Sequence, residues 1–74
     1  MASIDKLIQK IKNQPANVRY DEVERVYNHI GYYQVRKKGS HRQFRNKQGD
    51  VTTVQHNNPV GKAYIKELLT KLEQ

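Results

Sequence analysis

Residues 32–56 read YYQVRKKGSHRQFRNKQGDVTTVQH, and the spacing of apolar and polar side chains along them decides the fold. Here the apolar period is two. Tyr32 to Lys37, Ser40 to Asn46 and Val51 to His56 are short runs with β-branched or aromatic residues, separated by Lys38-Gly39 and by Lys47-Gln48-Gly49-Asp50, which spells a three-stranded antiparallel meander. On either side the period lengthens. Ile4, Leu7, Ile8 and Ile11, then Val23, Val26, Tyr27 and Ile30, and finally Ile65, Leu68, Leu69 and Leu72 each follow the i, i+3, i+4, i+7 template of one helix face. The order is α, α, β, β, β, α: an α+β layer with helices over one face of the sheet and solvent over the other.

Local signals set the expected boundaries. Ser3 can cap the first helix, and Asn13 with Pro15 ends it, because proline disfavours a helical predecessor. Val18 and Val23 have staple spacing if Arg19 is the cap of the second helix, although Asp21 is the better capping side chain; Gly31 closes that helix in either case. Asn58 and Pro59 suit the start of the third. The expectation is one domain over 1–74, with 1–15 as an N-terminal helical extension of an αβββα unit over 18–73.

Composition narrows the chemistry. At 74 residues the core is modest, since a domain this small buries only about 60% of its unfolded surface. Cysteine is absent, which removes disulfides, thiolate chemistry and cysteine-bearing zinc motifs and suits a cytoplasmic protein. No apolar run is long enough for a membrane span, and the first twelve residues lack the continuous apolar stretch of a signal peptide. The formal charge is +7, and no acid lies between Arg25 and Gly49, whereas Arg25, Arg36, Lys37, Lys38, Arg42, Arg45 and Lys47 do. So dense a positive field points to a polyanion, nucleic acid above all, or to an acidic protein partner.

Phe44 is the one large apolar residue of the second strand, so its side should be covered. Alternation then puts Ser40 and Arg42 with Phe44, and His41, Gln43 and Arg45 in water. A bulge at Gly39 would re-aim the first of these residues, and in the first strand Tyr32 competes with Tyr33 and Val35 for the inside. His29 lies in the last turn of the second helix, where a local structural role suffices. His56 ends the third strand and is a possible second catalytic or rim residue. His41 is the leading candidate for chemistry, and Lys37, Lys38, Ser40, Arg42, Arg45 and Lys47 are candidates for gripping a nucleic-acid backbone. Neither histidine spacing nor paired acids suggest a metal site, phosphate-cradling glycine loops are missing, and no cofactor is expected.

The string VRYDEVERVYNHIGYYQVRKKGSHRQFRN, with Val51 to Val54, His56 and Tyr64-Ile65-Lys66 after it, resembles the HicA family of bacterial and archaeal toxins. Gly31-Tyr32, Gly39-Ser40-His41 and Phe44 carry the likeness. Val54 stands where many relatives have proline, and Gly61-Lys62 where some have a lysine-proline pair. The resemblance implies a double-stranded-RNA-binding-like αβββα fold, an endoribonuclease acting on messenger RNA without a metal, a catalytic histidine at His41, and a HicB antitoxin that covers it. The other readings are a non-catalytic RNA-binding module on the same fold and a protein-interaction domain whose basic face takes an acidic partner. The short strand loops and the sparsely basic start of the last helix argue against the two-groove binding mode of full double-stranded-RNA domains.

Overall fold

Ser3 starts the first helix, α1 (Ile4–Asn13), by accepting the Lys6 N–H on its hydroxyl at 3.3 Å. The computed structural model describes residues 3–73; Met1, Ala2 and Gln74, which the expected 1–74 unit includes, lie outside the described residues. A 3-10 turn (Pro15–Asn17) follows, then α2 (Tyr20–His29), β1 (Tyr33–Lys38), β2 (His41–Arg45), β3 (Val51–Gln55) and α3 (Lys62–Leu72). The sheet is antiparallel in the order β1-β2-β3, giving the α+β arrangement expected from the change of period.

Arg19 is the cap residue of α2, with Val18 before it and Val23 four residues into the helix, both buried. That is a hydrophobic staple. The Glu22 carboxylate reaches back to the Arg19 N–H at 3.0 Å and also accepts from Lys10 of α1 at 2.7 Å. Burial alone would raise the Glu22 carboxyl, but the Lys10 hydrogen bond, the Arg19 N–H and the charges of both residues outweigh it and hold the group below its ordinary value. The Tyr20 N–H, which has no partner within the helix, is met from far away in the chain: Asn58 Oδ1 accepts it at 2.9 Å. Asn58 therefore caps α2, and α3 begins four residues later with Gly61 as its cap, which corrects the start expected at Asn58. The Val60 N–H donates to the Val18 carbonyl at 2.8 Å, so the segment before α3 is tied to the entry of α2 twice.

At the other end of α2, Gly31 takes φ 95°. The Tyr32 N–H donates to the Tyr27 carbonyl at 2.8 Å and the Gly31 N–H to that of Asn28 at 3.2 Å, the two bonds of a Schellman motif. Its accompanying apolar contact is the Tyr32 ring against Tyr27, with centroids 5.4 Å apart. This local geometry settles which tyrosine goes inside: Tyr32 is buried, while Tyr33 and Val35 stand 58% and 59% exposed.

The core lies between the helices and one face of the sheet. Phe44 and Val54 come from the strands; Val23, Val26 and Tyr27 from α2; Ile65 and Leu68 from α3; Leu7 and Ile11 from α1. Phe44 stacks on Tyr27 at 5.4 Å. Thr52, the one polar residue buried with this group among the described residues, donates its hydroxyl to Glu67 of α3 at 2.9 Å. Among the described residues the Tyr27 hydroxyl makes no hydrogen bond of good geometry, since the nearby Thr52 hydroxyl donates to Glu67 instead; burial pushes it up to about 12, with the proximity of Thr52 opposing more weakly. Among the described residues, no helix is long and apolar enough to cross a membrane.

Candidate active site

The Gly-Ser-His element is a turn followed by a strand start. Lys38 pairs with His41, so Gly39 and Ser40 form a two-residue hairpin loop. Gly39 takes φ 57°, the left-handed value that such a loop asks of its first residue if it is to match the twist of the strands. Nothing stands within 4 Å of a Cβ placed there, so the backbone angle, not crowding, demands glycine. The Ser40 carbonyl accepts the His56 N–H at 2.6 Å, extending the β2–β3 ladder to the residue before His41 and fixing where the histidine leaves the sheet.

From there alternation holds along β2. Phe44 is buried, Arg42 shares its side, and His41, Gln43 and Arg45 face the other way, as expected from the sequence. Cross-strand register builds three rows on that solvent face: Lys38, His41 and Gln55; Arg36, Gln43 and Thr53; Tyr33, Arg45 and Val51. Arg36, Lys38, His41, Gln43 and Thr53 line one open recess of about 550 Å³. None of the residues in these rows is acidic.

Strand alternation puts the two adjacent lysines on opposite faces, and an irregularity in β1 decides which of them faces solvent. The register shifts between Gln34 and Arg36, leaving Val35 as a bulge, and not at Gly39, where a bulge would have re-aimed the start of β2. Tyr33 pairs with Arg45 on the solvent face and Gln34 with Phe44 on the covered one; after the extra residue, Arg36 and Lys38 return to the solvent face and Lys37 pairs with Arg42 on the helix side. A bulge inserts one residue and so inverts parity beyond it. Arg36, counted among the bases but not singled out from the sequence, stands beside His41 for this reason. No pattern within β1 signals it, because the skipped residue is defined only by pairing with β2.

The remaining candidates lie elsewhere. Arg42 donates a guanidinium N–H to the Gly39 carbonyl and sits near Tyr20 on the helix side. Tyr20 donates its hydroxyl to Gln34 at 3.2 Å; its pKa is raised chiefly by burial and further by Glu24, with Arg42 opposing. The His56 ring lies against Tyr20, centroids 4.3 Å apart, and is not among the residues lining the His41 recess. His56 thus joins the helix-side cluster of Tyr20 and Arg42. Lys47 occupies the exposed turn after β2, where Asn46 and Asp50 bond each other, Asp50 N–H to Asn46 Oδ1 at 2.9 Å. His29 is exposed at the end of α2, away from either group. Among the described residues, no three His, Asp or Glu side chains are grouped so as to hold a metal ion.

Comparison with curated proteins and with solved structures gives no significant match. The family comparison does match: residues 20–74, from the first residue of α2 onward and leaving α1 outside, fit the model described as HicA toxin of bacterial toxin-antitoxin. A toxin of that kind has an antitoxin as its partner, and the family is generally one of RNases. With the match covering most of the chain and including the Gly39-Ser40-His41 turn, this protein belongs to the HicA toxin family.

Proposed function

We propose that this toxin is an endoribonuclease in which His41 takes the proton of a ribose 2′-hydroxyl. RNA carries its own nucleophile, so the protein needs a base and a means of holding the phosphate, and no metal. As the 2′-oxygen forms its bond to the adjacent phosphorus, the bond to the 5′-oxygen of the next nucleotide breaks. The imidazole holds the abstracted proton, and the leaving oxygen takes one from water at the open face. The products are a 2′,3′-cyclic phosphate and a 5′-hydroxyl end. Imidazole suits the task because it titrates near neutral pH. Arg36 and Lys38, fixed on strands beside it, stabilise the added negative charge on phosphorus without having to reorganise.

The observation that carries this reading is the common recess of His41, Arg36 and Lys38 on a solvent face free of acids. The whole chain acts as one cytoplasmic unit, α1 being an addition to the αβββα part. A HicB-type antitoxin neutralises it by covering His41, and the basic face suits an acidic partner for the same reason that it suits RNA. A messenger-like RNA with a single deoxyribose at the cut position tests the chemistry: cleavage there should stop, and EDTA should leave cleavage of the all-ribose strand unchanged. His41→Ala should bind that RNA while losing turnover. If His41→Ala still cuts, the histidine is not the base; if the parent protein binds RNA and never cuts it, the domain is a binding module.

A further inference from the structure

Among the described residues, Tyr33, Val35 and Val51 are the large apolar side chains left exposed, at 58%, 59% and 54%. They are not scattered. Tyr33 and Val51 flank Arg45 in one cross-strand row, and Val35 is the bulge residue beside it. The row lies on the same solvent face as His41, and Arg45 and His41 are four residues apart on β2, about 13 Å along the strand. Between them stands the row of Arg36 and Gln43. A second shallow recess of about 280 Å³ opens around the tyrosine, with Arg45 and Lys47 in its lining.

The core gains nothing from Tyr33, because the Schellman turn at Gly31 has already sent Tyr32 inside. An exposed ring on a sheet, bordered by cations and on the same face as a recess for a phosphate, has the makings of a platform for an unpaired base. We propose that Tyr33 stacks against a nucleobase of single-stranded RNA bound along β2, with Arg45 and Arg36 holding the backbone between that base and the bond at His41. This rests on the reading of His41 as the site of cleavage and adds a substrate class: an unpaired strand, whose bases can leave their own stack, rather than a duplex. A ring stacks on every base, so the contact positions RNA without dictating its sequence. The cations run from the Tyr33 row to the His41 row with no acid among them, as a phosphate backbone laid along β2 requires, and an acidic protein on the same rows is the outcome that the antitoxin comparison below would reveal.

The test is anisotropy of labelled single-stranded RNA with the full chain carrying His41→Ala, alone and with Tyr33→Ala or Tyr33→Phe. Tyr33→Ala should weaken binding about 5- to 150-fold, the range for losing one stacked base, and Tyr33→Phe should bind within about twofold of its parent. The dependence of affinity on salt should stay the same in both, because stacking neutralises no phosphate. RNA with an abasic position moved stepwise along the strand should reveal one position whose loss matters to the Tyr33 protein and not to Tyr33→Ala. That arm needs no altered fold.

Equal affinity of Tyr33→Ala and its parent, or an abasic scan with no sensitive position, overturns the stacking while leaving the nuclease reading intact. Binding of duplex as tightly as of single strand overturns it too. Should Tyr33→Ala spare RNA binding and weaken only the complex with antitoxin, the patch is a protein interface and the proposal is wrong. Residual cutting by the His41→Ala protein would instead count against the reading beneath it.

Discussion

Lys37 and Lys38 adjoin in the chain, yet their replacement should affect RNA binding differently. The bulge at Val35 turns Lys38 to the solvent face, across from His41, and Lys37 to the helix side, across from Arg42. Arg36, Lys38 and Arg45 are the cations in the three solvent-face rows. If each neutralises one phosphate, the logarithm of affinity falls with the logarithm of salt with a slope of about −2, at ~0.7 per contact for a single strand. Lys38→Gln should reduce that slope to about −1.4, and at about 0.15 M salt the lost contact corresponds to roughly 4-fold in affinity. The double change Arg36→Gln with Lys38→Gln should cost about 15-fold by the same arithmetic. Lys37→Gln should leave the slope where it was. Titrations over a range of salt, with His41→Ala to prevent turnover, measure all three. A Lys37→Gln protein that loses as much slope as Lys38→Gln would refute the assignment of faces, and with it the bulge as the device that gathers the site.

Three further outcomes concern what holds that face in place. Asn58→Ala removes the side chain that receives the Tyr20 N–H and should lower stability by about 1 kcal/mol in chemical denaturation, whereas Asn58→Asp keeps an acceptor and should cost less. Tyr27→Phe deletes a buried hydroxyl without a hydrogen-bond partner, so it should be neutral or stabilising by up to about 1 kcal/mol; a larger loss would mean that the hydroxyl is satisfied. Because the folded protein holds the Glu22 carboxyl below its ordinary value, the unfolded chain takes up a proton there at a higher pH than the folded one does. The stabilisation is whole above the ordinary glutamate value of about 4.3 and disappears as pH falls through the lower folded value. Glu22→Gln should therefore flatten the acid limb of a stability-against-pH curve, and an unchanged limb would count against the pairing with Lys10.

Much of this was legible in short-range pattern. Three helical stripes and three alternating runs give the element order, because burial on one side imposes a period of 3.6 or 2 on whatever sequence meets it. Phe44 alone orients β2, and with it His41 toward solvent. Pattern could not reach the features that depend on partners distant in the chain. Asn58 looks like the cap of the helix next to it and instead serves one that starts 38 residues earlier. His56, read as a companion of His41, lies against Tyr20, because the strand that carries it presents it to the helix side. Alternation in β1 depends on a ladder with β2 that skips Val35, and nothing in a period of two announces a skipped residue. The sequence by itself determined that a histidine would face water among cations. Which cations share its recess was decided by the pairing of β1 with β2, since register belongs to two strands and cannot be read from one.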